Sequence, residues 1–275
     1  AVDGHGHGTF CAGIIGGKNV GVAPKVGLHA VKVIDGSEGK VGSLYLAFNE
    51  LLQRDLESTS TVFSLSLNFK GDPSYADVAF IEKVTRRGIT LVVAAGNRRK
   101  KTGWGMTSGI VVGAMDRSES LWKYNNVGVT INIFAPGVDI TSAWSGSDSE
   151  KKIESGTSAA SAHVAGAAAL LLSEAKAKGL TYKPDSDSGV PSGVMKTLQS
   201  KGKLVDDKWR RLFVGKEDGW MEGWQKAVQV QRTGTKEMIK KTWVWDSAKN
   251  KAVKGIPKWV TDPTKSKRTW RLVLR

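Results

Sequence analysis

The 275-residue chain is 40% hydrophobic and 24% charged, ordinary values for a globular protein and ones that exclude low complexity. Its single cysteine, Cys11, excludes an internal disulfide framework, and its longest apolar stretch, Val164 to Leu172, is too short to cross a bilayer. The net charge of +15 is uneven: residues 1–200 hold 21 basic and 18 acidic side chains and residues 201–275 hold 20 and 8, so it says little about the first part.

In chain order, the opening Ala1–Val2–Asp3 lacks the basic start and apolar core of a signal peptide and falls directly inside a motif, which raises the expectation of sequence upstream. His7 then leads into a glycine-flanked helix start. Short β-branched runs predict strands at Leu28–Ile34, Thr61–Leu67, Ile89–Ala94, Ile110–Ala114 and Val129–Phe134. Apolar residues at helical spacing predict helices at Ser43–Arg54 and Ala76–Arg87. Strands alternating with helices imply an α/β fold, a parallel sheet with helices on both faces. A long helix is expected over Ser158–Lys178, stopped by Gly179 and built in its first half from Ala, Ser and Gly, so that neighbouring backbone approaches closely. A shorter helix follows at Ser192–Ser200. Composition changes near Lys201, beyond which seven of the ten tryptophans lie. The expected organisation is therefore a domain over 1–200 and a basic, Trp-rich extension over 201–275, with weak strand patterns at Thr242–Asp246 and Lys258–Thr261.

Three segments share one chemical logic: Asp3–Gly13 (DGHGHGTFCAG), Ala94–Asn97 (AAGN) and Ser155–Gly166 (SGTSAASAHVAG). Acyl transfer needs a nucleophile, a base for its proton, and donors for the oxyanion. Ser158 opens a helix, where its hydroxyl and N–H sit at the positive dipole end. Asn97 ends a strand, where its amide can reach the crevice at the carboxyl ends of the strands. A bare helix N-cap is the ordinary reading of Ser158 alone, and the other two motifs weigh against it.

In order and spacing these segments resemble the subtilase family of serine proteases, with Cys11 four residues after His7 similar to its proteinase K branch. The resemblance covers roughly residues 1–200. It implies a subtilisin-like sheet, His7 as general base, Ser158 as nucleophile and Asn97 as side-chain oxyanion donor, joined by the Ser158 N–H. It further implies that Ser64, Leu65, Ser66 and Leu67 bind substrate backbone by strand addition. Peptides or proteins are the implied substrates and an extracellular location the implied setting. The chain is expected to be a monomer, with no nucleic acid as partner and no cofactor.

The family's third catalytic group is an aspartate in a D-[ST]-G segment before the histidine, and none precedes His7 in these 275 residues. Asp3 stands at a motif position that does not orient the histidine. The expectation is a piece of a longer protease with a central strand missing; the rival is an impaired relative that binds peptides or, through its basic tail, polyanions. One calcium site of the branch uses an aspartate before I-F-x-P-G; Asn132 stands there, which argues against calcium at that point. Ala162 replaces a usual proline, and Asn68 and Phe69 replace usual glycines and are expected to narrow the cleft. His5 and His7 lack the further ligands of a metal site. The glycines of Gly13–Gly17 lack the preceding strand of a nucleotide loop. His163 reads as a packed core histidine, and Cys11 as a buried, largely inert thiol.

Overall fold

A computed structural model describes residues 2–34, 39–54, 56, 60–67, 74–99, 109–127, 131–182 and 192–200. Beyond these it describes the backbone of the strands in 202–206, 209–213, 227–231, 243–246, 251–261 and 268–274. The chain divides into two compact units, Ala1–Gln231 and Arg232–Arg275.

The first unit is built on a parallel sheet. Strands β1 (Val62–Leu65), β2 (Thr90–Ala94), β3 (Ile110–Met115) and β4 (Ile133–Pro136) lie side by side in that order, with registers such as Phe63 beside Leu91 and Val112 beside Ile133. All residues of β2, β3 and β4 are buried, as a sheet covered on both faces requires. Alternate side chains feed two cores. Val92, Ile110, Val112 and Ile133 face α4 (Thr157–Ala177) and α5 (Ser192–Ser200). Leu91, Val93, Val111 and Phe134 face α2 (Val41–Gln53) and α3 (Tyr75–Arg86). Past β4 the sheet continues through β9 (Ala227–Gln231), β8 (Trp209–Phe213) and β7 (Gly202–Asp206), now antiparallel. The composition change at Lys201 thus falls between α5 and β7, inside this unit.

Local chemistry explains the helix ends. Ser74 and Asp77 form a reciprocal capping box at the start of α3, satisfying two backbone N–H groups that the helix leaves open. At the end of α4, Gly179 adopts φ 65°, and Gly179 N–H and Leu180 N–H donate to Lys176 O and Ala175 O at 3.0 and 2.8 Å. This is a Schellman stop, and glycine takes that left-handed backbone without strain. Small residues bring α4 against α1 (His7–Gly16): a Cβ on Gly166 would lie 2.7 Å from Val22 and 3.2 Å from Ile15 O.

Two differences from the sequence pattern stand out. Leu28–Ile34, expected as a strand, forms none, and Leu28 and Val31 are 48% and 44% exposed. Alternating residues satisfy only the local half of a strand; the ladder needs a neighbour, and among the described residues no sheet strand pairs with this segment. A hairpin not anticipated, β5 (Ile140–Ala143) and β6 (Lys151–Glu154), leads directly into the N-terminus of α4. Its β6 is mostly exposed and charged, which hides it from a hydrophobic pattern. In the second unit, β10 (Trp243–Asp246), β11 (Lys251–Thr261) and β12 (Arg268–Leu274) form an antiparallel sheet. Among the described residues no helix is long and apolar enough to cross a membrane.

Candidate active site

The carboxyl end of β2, the end of β1 and the N-terminus of α4 converge. After Ala94 the chain turns through Gly96, whose φ of 101° favours glycine, and presents Asn97 to α4. Asn97 Oδ1 accepts from Thr157 N–H at 3.0 Å and from Thr157 Oγ1 at 2.8 Å. Thr157 Oγ1 in turn accepts from Gly96 N–H at 2.9 Å. With the carbonyl end of the amide tied to α4, the Nδ2 end is left as the donor. Gly156 permits this, since a Cβ there would sit 3.1 Å from Nδ2.

Ser158 is the second residue of α4. Its hydroxyl donates to Ser66 O at 3.4 Å, while Ser66 Oγ donates to Ser158 O at 3.1 Å and lies 3.1 Å from Ser161 Oγ. The residues just past β1 are thereby latched to the start of α4. Ser66, Leu67, Asn97, Arg98, Thr157 and Ser158 line a pocket of about 200 Å³. Ser64 and Leu65 belong to β1 and do not line it; Leu65 is buried in the core, and Ser64 Oγ is buried without a hydrogen-bond partner among the described residues. Asn68 and Phe69 lie outside the described residues.

His7 heads α1, positioned by a tight turn. Gly6, with φ 97°, packs against the Trp144 ring that follows β5, and a Cβ would collide with it. Asp3 folds over the same turn. Its carboxylate accepts from Gly6 N–H at 2.8 Å, Thr9 N–H at 2.8 Å, Thr9 Oγ1 at 2.7 Å and His5 N–H at 3.0 Å. These donors, led by Gly6 N–H, hold its pKa well below the usual carboxylate range against the opposing effect of burial. Asp3 therefore serves the helix N-terminus, with both oxygens engaged by donors of the turn and first helical turn.

Burial, and secondarily the neighbouring His5, lowers the His7 pKa, while Glu154 and Asp3 act in the opposite sense. His7 Nε2 lies 3.9 Å from Cys11 Sγ, one helical turn on. Burial pushes the Cys11 thiol up to about 11, so it stays protonated at neutral pH. Burial likewise drives His163 down to about 4, with its Nδ1 2.9 Å from Ala159 O inside α4. No hydrogen bond joins His7 to Ser158 among the described residues; the hydroxyl points to Ser66 and the imidazole to Cys11.

The side chain of Asn132 accepts at Oδ1 from Val111 N–H at 2.7 Å, as an extension of the sheet ladder. Among the described residues no three His, Cys, Asp or Glu side chains group as metal ligands. Sequence reasoning missed the part of Thr157, which sets the direction of the Asn97 amide, and of Trp144, which shapes the histidine turn. A β-branched hydroxyl directly before Ser158 was the available signal for the first.

A crystal structure of a cold adapted subtilisin-like serine proteinase matches this fold with a TM-score of 0.62 at 32% identity, over 73% of this chain and 69% of that one. The architecture is accordingly that of a subtilisin-like α/β protein. The model of the subtilase family matches residues 1–212, and the chain belongs to that family. Among its relatives are subtilisin-like protease 2 of Pseudogymnoascus destructans, 40% identical over 174 residues, and a cuticle-degrading serine protease of Arthrobotrys oligospora, 40% identical over 176 residues. Proteinase T of Parengyodontium album is 39% identical over 176 residues. Each match covers 62% of this chain and 43%, 42% and 59% of the respective relative, so the chain spans between two and three fifths of their lengths.

Proposed function

We propose that this chain carries the machinery of a serine endopeptidase that acts on peptides or proteins. Ser158 Oγ attacks the carbonyl carbon of the scissile bond while its proton passes to His7. The oxyanion forms between Asn97 Nδ2–H and Ser158 N–H. His7 then hands the proton to the departing amine as the C–N bond breaks. Water, deprotonated by His7, releases the acid from Ser158. The observation that carries this reading is the fixed direction of the Asn97 amide, whose carbonyl end is taken by Thr157, in a side chain that lines the pocket together with Ser158. A preorganised donor aimed where charge develops is among the largest catalytic terms available to a protein.

A second reading, a peptide-binding protein without turnover, is favoured by one observation: Ser158 and His7 are hydrogen-bonded elsewhere and not to each other. Hydrogen bonds of a catalytic pair are often loose before substrate binds, so this geometry does not decide against catalysis. Labelling the purified chain with a fluorophosphonate, with Ser158→Ala as control, separates the two. Labelling lost in the variant supports the hydrolase. A folded chain that stays unlabelled but retains peptides supports the binder.

A further inference from the structure

Among the described residues that line the pocket beside Ser158 one carries a formal charge, and it is positive. Arg98 follows Asn97 directly, and its backbone N–H is held by Asn126 Oδ1 at 2.9 Å, so the position of its stem is fixed. Its neighbour Arg99 is engaged elsewhere: Nε donates to Lys123 O at 2.7 Å, and the guanidinium lies 5.0 Å from the centre of the Tyr124 ring. The ion pairs of the described residues join Arg54 to Glu50, Arg86 to Glu82, Lys152 to Glu154 and Lys178 to Glu174. Among the described residues no carboxylate pairs with Arg98. In sequence the run continues Lys100–Lys101, adding charge of the same sign.

Geometry decides which part of a substrate meets this cation. A side chain and the carbonyl of its own residue are separated by a single Cα. The pocket shares Asn97 and Ser158 with the position of the oxyanion, so it receives the side chain of the residue whose carbonyl is attacked. Its size, about 200 Å³, is below that of a drug-sized ligand site and in scale with one amino-acid side chain. Leu67 and Ala94 supply apolar wall, which suits the methylenes of a longer side chain, and Arg98 supplies donors in a planar fork matched to a carboxylate.

We propose that Arg98 is a specificity-determining residue, and that the pocket selects substrates with glutamate or aspartate on the acyl side of the cleaved bond. This deepens the hydrolase reading and rests on it. Because Arg98 is exposed, the preference is modest and falls as salt rises.

The test uses the 275-residue chain and three peptidyl diphenyl phosphonates that differ only in carrying Glu, Leu or Lys at the reacting residue, with an uncharged fluorophosphonate beside them. The rate of Ser158 modification is measured for the wild type, Arg98→Lys, Arg98→Gln and Arg98→Glu. The Glu probe is expected to react about ten-fold faster than the Lys probe in the wild type, a size suited to an exposed charge pair. The ratio is expected to survive in Arg98→Lys, to fall towards one in Arg98→Gln and to invert in Arg98→Glu. A Glu-to-Lys ratio that is the same in all four proteins, while the fluorophosphonate still labels, overturns the role of Arg98 and leaves the hydrolase standing. Failure of every probe, the fluorophosphonate included, overturns the hydrolase reading and this one with it.

Discussion

Asn97 accepts twice from Thr157 through its Oδ1, and the residue lines the pocket beside Ser158. Replacing it with alanine is expected to lower turnover by about 10²–10³-fold with little change in KM, a loss established for the side-chain donor of subtilisin itself. A fluorogenic peptide assay reads both constants, and a loss confined to KM would remove Asn97 from transition-state binding. His7 is the base of the proposed hydrolase. The base must be neutral, and burial disfavours the charged imidazolium, so fluorophosphonate labelling should rise with pH around a midpoint below the ordinary 6.5. His5→Ala removes the neighbouring imidazole that adds to this lowering and is expected to move that midpoint up; Glu154→Gln removes an opposing negative charge and is expected to move it down. Motif reading singles out His7, Asn97 and Ser158 because each lies in a short run whose neighbours are also constrained. It could not find the direction of the Asn97 amide, which depends on a threonine sixty positions away in sequence.

Helix α1 depends on a carboxylate outside it. Asp3 supplies the cap that Gly6 lacks, so Asp3→Asn is expected to cost about 1 kcal/mol, or roughly 2–4 °C in Tm. A carboxylate whose folded pKa is depressed contributes stability above its unfolded pKa and loses it only as pH falls through the folded value. The Tm gap between wild type and Asp3→Asn should therefore be the same at pH 7 and pH 5 and close only in strong acid. A gap already gone at pH 5 would show that the four donors do not act on the charge. Along α4 the controlling feature is size. Gly166→Ala sets a methyl against Val22 and Ile15 O and is expected to cost about 1–3 kcal/mol in chemical denaturation, and a leucine there to prevent folding. The small-residue run was legible as close packing; its partner, α1, was not, because contact between helices 150 residues apart leaves no mark in local periodicity.

Across the molecule, the parallel sheet divides its side chains between two helical layers, and this sets which backbone is protected. Amide exchange is expected to be slowest in β2 and β3, buried on both faces, and fast in Leu28–Ile34, which joins no sheet. Slow exchange over 28–34 would show that the segment finds a ladder partner in solution. The charge is also a property of the whole: with 20 basic against 8 acidic side chains in residues 201–275, retention on a heparin column should fall steeply with salt.

Some of this protein is determined by residues close together in the chain. Hydrophobic period marks β1 to β4 and α2 to α4, and the glycine-flanked His7, the AAGN turn and the GTS helix start mark the site, because each rests on steric and hydrogen-bonding demands within a few residues. What the tertiary structure alone decided is which potential is realised. Leu28–Ile34 has the pattern of a strand and forms none, while β6, polar and exposed, forms one, because ladder hydrogen bonds come from a neighbour that local sequence does not specify. The same holds at the site. A pocket that joins Asn97, Arg98 and Ser158 exists only once β2 and α4 are packed together, and its charge is then a property of that packing.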